Sequence, residues 1–388
     1  MYRLFRNPLY IYLIGFALSF LVYMLNWSDL YPKISTSMII FFTITFFCFG
    51  CFGVAIGYLK LIQKTYSQTK SRLIVRCAFI LLFFYLIEFL IEGDIPLVSK
   101  LLGRAGVHYM EFGIPLLHGV LISFNSFLIA HTFSTYLSTK NKLLLKVYFL
   151  LYIPALLFFS RSILMLGLLT SVFIYIHYSE KLRFKNQLKL VFLGVVALYL
   201  FGVLGNLRSG GDYIYEQSKA TEKFMKSSIP KEFYWTYLYV ASPLANFQNT
   251  VNKTERVKKD FVGFIFYENL PQIISKNFGR PLQIPQRDLV RLIPWLTVGT
   301  TYAKSISYLG WLGPYLLFIF NLIVYLTIIM FMVPRRSSYH ITTLSILSVI
   351  ILLNIFANML VVTGISFQLA YCVIFAFFER KKFVLKSG

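Results

Sequence analysis

Long apolar runs alternate with short basic clusters along the chain, and one polar stretch, Asn206 to Ser305, interrupts the pattern. A helix that crosses the hydrocarbon core of a bilayer needs about 20 mostly apolar residues. By that length the runs predict ten spans, near residues 8–26, 37–59, 73–91, 113–134, 143–159, 162–178, 188–205, 307–333, 340–358 and 362–379. The first run follows Arg3 and Arg6 and lacks a small-x-small cleavage pattern after it. It reads as an uncleaved first helix rather than a signal peptide. The expected fold class is an all-α polytopic membrane protein of about ten transmembrane helices with one large loop. Residues 1–205 form a seven-helix membrane region, 206–305 the loop domain, and 306–388 a three-helix membrane region.

Charge placement gives the orientation. The net charge of +23 would suggest nucleic acid in a soluble protein, but only 14% of residues are charged and 57% are hydrophobic. Soluble domains carry roughly 25% charged residues. The basic residues sit between the apolar runs, as the positive-inside rule requires, so no nucleic-acid partner is expected. With the N-terminus inside, the inner segments collect 20 Lys and Arg, from Arg3 to Lys386. The short outer segments hold only Lys33, Lys100, Arg104 and Arg161. Both termini are then cytoplasmic and the long loop is periplasmic, which places the chain in a bacterial inner membrane. Cys48, Cys51, Cys77 and Cys372 all lie in apolar runs, so no disulfide framework is expected. The CxxC spacing of Cys48 and Cys51 has no second ligand pair and reads as helix packing.

Residues 206–305 hold eight of the 15 acidic residues and 14 of the 38 Lys and Arg, mixed with aromatics such as Phe233-Tyr234-Trp235. Such a mix can order itself, unlike a linker. Asp212 is expected to cap a helix running to about Lys226, and Pro230 to open a second, Tyr- and Trp-rich helix at the membrane interface. Pro285 is expected to open a third piece, Gln286 to Leu292, with Arg287 and Arg291 on one face at i and i+4. Two guanidinium forks on one face suit a pyrophosphate. Arg280 and Arg208 add two more arginines, and the loop has no histidine.

Other polar positions have bland readings beside functional ones. His118 and His131 lie within the fourth span, where a proton carrier is conceivable. No carboxylate follows at helical spacing, so a structural role is expected. Glu92 and Asp94 could hold a divalent cation or solvate a helix end. Arg161, in the tight turn Ser160-Arg161-Ser162, is either a snorkelling anchor or a bidentate ligand for a lipid phosphate.

An arginine-rich outer loop on a membrane protein suits a substrate with an anionic head and a lipid tail, such as a polyprenyl-pyrophosphate sugar. Glycosyl transfer from such a donor requires stabilisation of the leaving pyrophosphate and removal of a proton from the acceptor hydroxyl. Asp212, Glu216 and Glu222 share the loop with Arg208 and are the candidate bases. Tyr213, Tyr215, Trp235 and Trp295 offer flat faces for sugar rings.

Three stretches resemble the oligosaccharide repeat-unit polymerases, the Wzy-type O-antigen polymerases. They are Ser160-Arg161, then Arg208-Ser209-Gly210-Gly211-Asp212-Tyr213, and then Thr297-Val298-Gly299-Thr300-Thr301-Tyr302 followed by Gly310-Trp311-Leu312-Gly313. The span count, the chain length and the late loop also resemble that family. The resemblance implies en bloc transfer of a growing glycan from undecaprenyl pyrophosphate to an incoming lipid-linked repeat unit, with release of undecaprenyl pyrophosphate. It implies a metal-independent fold similar to the GT-C membrane glycosyltransferases, no cofactor, and a polysaccharide co-polymerase that sets chain length as partner, besides the lipid-linked oligosaccharide and membrane lipid. Arg161 and Arg208 are the residues the motifs carry over. The residues expected at the site are Arg208, Asp212 and Glu216 in catalysis, and Arg161, Arg280, Arg287, Arg291, Tyr213, Thr300 and Tyr302 in substrate binding.

Rival classes differ in sequence. O-antigen ligases usually carry a functional His in the late loop, and none occurs here. A metal-dependent GT-C transferase would use Glu92 and Asp94. A lipid-linked oligosaccharide flippase has short loops, and a membrane acyltransferase needs a His near the first spans, where the first 107 residues have none.

Overall fold

The computed structural model describes residues 4–63, 71–104, 112–158, 160–179, 184–209, 212–254, 258–279 and 281–387. Among them the fold is all-helical, with no strand beyond an isolated antiparallel bridge between Ser28 and Ala220. In chain order the helices are α1 (Pro8–Tyr23), α2 (Thr36–Tyr58), α3 (Ser71–Glu92), α4 (Pro96–Leu101), α5 (Leu117–Thr139), α6 (Lys142–Leu150), α7 (Ile153–Leu157), α8 (Arg161–Tyr178) and α9 (Phe184–Ser209). The polar segment contributes α10 (Tyr213–Gln217), α11 (Glu222–Met225), α12 (Phe233–Lys253), α13 (Phe261–Phe264) and α14 (Gln272–Gly279). Then come α15 (Ala303–Leu309), α16 (Leu312–Thr327), α17 (His340–Leu353) and α18 (Thr363–Ser387).

Among the described residues four helices are long and apolar enough to cross a membrane: α2, α3, α5 and α16 with its π-helical extension to Met332. Shorter apolar helices occupy Pro8–Tyr23, Ile163–Tyr178, Val191–Leu207 and His340–Leu353. Their outward faces are apolar, as with Phe47 at 72% and Leu90 at 73% exposure. Water would not tolerate a surface of this kind over whole helices, whereas a hydrocarbon solvent matches it. Small polar side chains are buried inside instead, including Ser123, Thr132 and Thr135 on α5 and Thr342, Ser345 and Ser348 on α17. They allow close helix approach, and Ser123, Thr135 and Ser348 bond to carbonyls of their own turn, as Ser348 Oγ does to Leu344 O at 2.9 Å. These features are those of a helical membrane protein.

α1 lies at the middle, packed on α2, α12 and α17, while α5 joins α3, α8 and α18. Contacts sort the connections into two ends. At one end Arg6 Nε donates to Ile176 O at 3.2 Å and Arg335 Nη1 to Lys60 O at 3.3 Å. At the other, Thr221 N donates to Trp27 O at 2.9 Å, Thr301 N to Asn354 O at 2.8 Å and Gln272 N to Val361 O at 2.7 Å. The polar segment gathers at this second end.

Several local expectations change. The run at 143–159 is two short helices that break at Leu151-Tyr152, ahead of Pro154, which cannot donate to a continuing helix. The helix expected from Asp212 to Lys226 is split into α10 and α11. Lys219 takes φ +48° between them, and Ala220 pairs with Ser28. Pro230 is not at N1. It lies in a turn whose carbonyl accepts Phe233 N at 3.1 Å, and α12 begins three residues later. No helix forms over Gln286–Leu292, so Arg287 and Arg291 do not share a helical face. The reason is competition from α12. Asn249 Nδ2 donates to Val290 O at 3.0 Å, and Leu292 N donates to Asn246 Oδ1 at 2.9 Å. Backbone groups taken by these side chains are lost to an intrahelical ladder.

Candidate functional site

A cavity of about 180 Å³ lies at the second end of the bundle, among the π-helical turn Ile265–Asn269, α14, residues 286–289, residues 297–304 and the α17–α18 connection. Its size is of the order that takes a single six-membered ring. The charged residues on its wall are Glu268, Lys276, Arg287 and Lys304, and neutral polar groups come from Gln272, Gln286, Thr297, Thr300, Thr301 and Asn358.

Each wall is set by sequence-specific bonds. Asp260 caps α13 by accepting Gly263 N at 2.8 Å, and its own N donates to Tyr308 O at 3.0 Å. The next turn widens to π geometry and places Glu268 inward, buried. π-turns often accompany functional sites because they re-aim one side chain. Asn358 Nδ2 fixes the turn by donating to Glu268 O at 2.6 Å. The opposite wall hangs from one amide. Asn246 Nδ2 donates to Leu296 O at 2.8 Å and to Val298 O at 2.7 Å. Gly310 closes α15 at φ +60°, a left-handed conformation suited to glycine. Gly313 lies so close to Ser305 that an added Cβ would stand 2.2 Å from its carbonyl oxygen. Those two positions account for the paired glycines beyond the Thr/Tyr stretch.

Burial pushes the Glu268 carboxyl up from 4.5 to about 8, and the Lys304 ammonium opposes that rise. The only ion pairs within 4 Å among the described residues are His118–Glu88 and Lys226–Glu222, so Glu268 and Lys304 share the cavity without touching. Thr301 Oγ1 is buried on the wall and has no hydrogen-bond partner among the described residues. The arrangement therefore offers a proton-exchanging carboxyl, cationic groups for an anion and an unfilled hydroxyl for a polar ligand. Ile265, Ile274 and Phe278 are exposed apolar residues on two of the same elements, and Phe261, Val262 and Leu282 are exposed on the residues that adjoin them in sequence.

Of the residues expected from the sequence, Arg287 and Thr300 meet at this cavity. Arg287 is already engaged: Nη1 donates to Ser307 O, Nη2 to Lys258 O at 2.9 Å, and its Cζ lies 5.7 Å from the Tyr308 ring centroid. Arg291 is exposed and donates to Pro294 O at 2.7 Å. Asp212, Tyr213 and Glu216 are exposed on and before α10 and do not line the cavity. Tyr302 is buried in the bundle with its hydroxyl 3.0 Å from that of Tyr12. Arg161 opens α8 and Arg208 ends α9 in its last turn. Arg280 lies outside the described residues, as do Gly210 and Gly211 of the second motif.

The residues missed were Glu268, Lys276, Lys304 and Asn358. Glu268 did carry a signal: it is a lone carboxylate at the end of the apolar-aromatic run Phe261–Tyr267. Lys304 lies two residues past Tyr302, the end of the Thr/Tyr stretch.

Elsewhere, the carboxylate absent from His118's own helix comes from α3, where Glu88 Oε2 lies 2.9 Å from His118 Nδ1. His131 stacks on Tyr339 at 4.3 Å and lies 3.1 Å from Thr342 Oγ1, a packed position. Glu92 accepts Gly113 N at 3.0 Å and Asp94 accepts Ser99 Oγ. Among the described residues no three His, Cys, Asp or Glu side chains are grouped as metal ligands. No family model matches the sequence, and no curated protein or solved structure matches it significantly.

Proposed function

We propose that this protein is an oligosaccharide repeat-unit polymerase of the bacterial inner membrane, with about ten spans, cytoplasmic termini and its site on the periplasmic face. It transfers a growing glycan from undecaprenyl pyrophosphate to an incoming lipid-linked repeat unit and releases undecaprenyl pyrophosphate. A fold of the GT-C kind and a partner that sets chain length belong to the same reading.

The observation that carries it is a polar cavity with three cationic side chains, Arg287, Lys276 and Lys304, whose wall elements and their neighbours in sequence also expose apolar side chains such as Ile265, Ile274 and Phe278. A lipid pyrophosphate has this division, with a doubly anionic head, a sugar at one end and a hydrocarbon chain at the other. Cations fixed near the departing pyrophosphate stabilise charge as it develops. The basic clusters at the end of the bundle away from the cavity, including Arg6, Lys60 and Arg335, support the orientation.

The test is a lipopolysaccharide gel from a strain lacking this gene. Core bearing a single repeat unit is the expected result, because flipping and ligation continue while polymerisation stops. Core without any repeat would replace the reading with a ligase or a flippase. An unchanged ladder would remove it.

A further inference from the structure

We infer that Glu268 is the group that takes the proton from the acceptor sugar hydroxyl, held on the cavity wall facing Lys304. This rests on the polymerase reading and names the base within it. Three geometric facts carry it. Glu268 is buried yet lines the cavity. Its π-turn is pinned by Asn358 through the backbone, which leaves the carboxylate to the cavity. Among the described residues it forms no ion pair that would neutralise it permanently.

The step balances as follows. The acceptor oxygen forms a bond to the anomeric carbon of the growing glycan, and the anomeric carbon–oxygen bond to phosphate breaks. The electron pair of that bond leaves with pyrophosphate. The acceptor proton passes to a Glu268 carboxylate oxygen and from there to solvent.

A base works best when its pKa lies near the working pH, and burial sets Glu268 at about 8. The groups around it are Lys304 and Tyr308 on α15, Lys276 on α14, Arg287 on the facing loop, Tyr267 on its own turn, and neutral Asn358 from the α17–α18 connection. Of these, Lys304 lowers its pKa. Turnover should therefore rise about tenfold per pH unit below 8 and level off above it.

The experiment uses full-length protein, with lipid-linked repeat units extracted from the deletion strain as the probe. Glu268→Gln should lower the rate roughly 10²–10⁴-fold at normal membrane abundance, and Glu268→Asp should keep part of it. Lys304 is exposed, so Lys304→Gln should fold normally while moving the midpoint of the pH profile upward. Full turnover by Glu268→Gln overturns the assignment. Should that variant not reach the membrane, a Lys304→Gln midpoint equal to wild type overturns it, and an upward shift supports it. Loss of the ladder on gene deletion, restored fully by Glu268→Gln, would leave the polymerase reading standing and Glu268 excluded. An unchanged ladder on deletion would end both.

Discussion

Glu88 on α3 and His118 on α5 meet at 2.9 Å, with Glu88 fully buried and also accepting Ile114 N at 3.3 Å. The pair ties the entry of α5 to the end of α3, under a lid of Phe112 and Phe158 whose rings stand 5.7 Å and 5.0 Å from the imidazole. His118→Ala leaves a buried acceptor half-satisfied, which costs about 1–3 kcal/mol. The variant should melt at lower temperature in detergent. Adding Glu88→Gln should recover part of the loss, as a double-mutant cycle would detect. Additive effects of the two substitutions would contradict the coupling.

Asn246 holds three backbone groups of the segment that leads into the cavity wall, Leu292 N, Leu296 O and Val298 O. Asn246→Ala removes all three bonds, at about 1 kcal/mol each. Limited proteolysis should then cut within residues 290–298, where the wild type resists. Asn246→Asp keeps only an acceptor and should lose the two carbonyl bonds, giving intermediate sensitivity.

Arg287 and Arg291 should part company on substitution. Arg287→Lys cannot reach both Ser307 O and Lys258 O, and it weakens the contact with Tyr308, so it should lower both stability and turnover. Arg291 is exposed and makes a single bond to a nearby carbonyl, so Arg291→Lys should change stability by less than about 0.5 kcal/mol. Thermal melts of the two variants side by side check this. Equal losses would restore the paired-fork reading.

Stability should depend on pH through Glu268. Its folded pKa is raised from 4.5 to about 8, so folding binds its proton between those values. The contribution is fully present below about 4.5 and is lost as pH rises through about 8. The melting temperature of the wild type should fall over that window, and Glu268→Gln should flatten the fall. The direction is opposite to that expected for turnover, so the two profiles separate a catalytic proton from a stabilising one.

The helical class and the apolar runs were legible in the sequence because a 20-residue apolar pattern is a local property. α2, α3, α5 and α16 appear where the pattern puts them. The polar segment was less legible. Its helices depend on partners distant in sequence, as when Ser28 pairs with Ala220 and when Asn246 and Asn249 capture residues 290–298. Proline and i,i+4 spacing at 285–291 favoured a helix, and those side chains outcompeted it. Thr300 and Arg287, singled out by motif and by spacing, lie on the cavity wall, although the helix behind that spacing does not form. Glu268 was not singled out, because its burial comes from contacts such as that with Asn358, 90 positions away. Proximity in sequence had favoured Asp212 and Glu216, near Arg208.

The polar segment is held by side-chain bonds to backbone, from neutral amides such as Asn246 and Asn249 and from charged groups such as Arg287 and Asp260, with Lys226–Glu222 its single ion pair among the described residues. Ionic screening weakens charge pairs and scarcely touches such bonds. Raising salt should leave this architecture in place while loosening the grip of Lys276, Lys304 and Arg287 on an anion. On the proposed reading, ionic strength thus becomes a reporter of substrate capture.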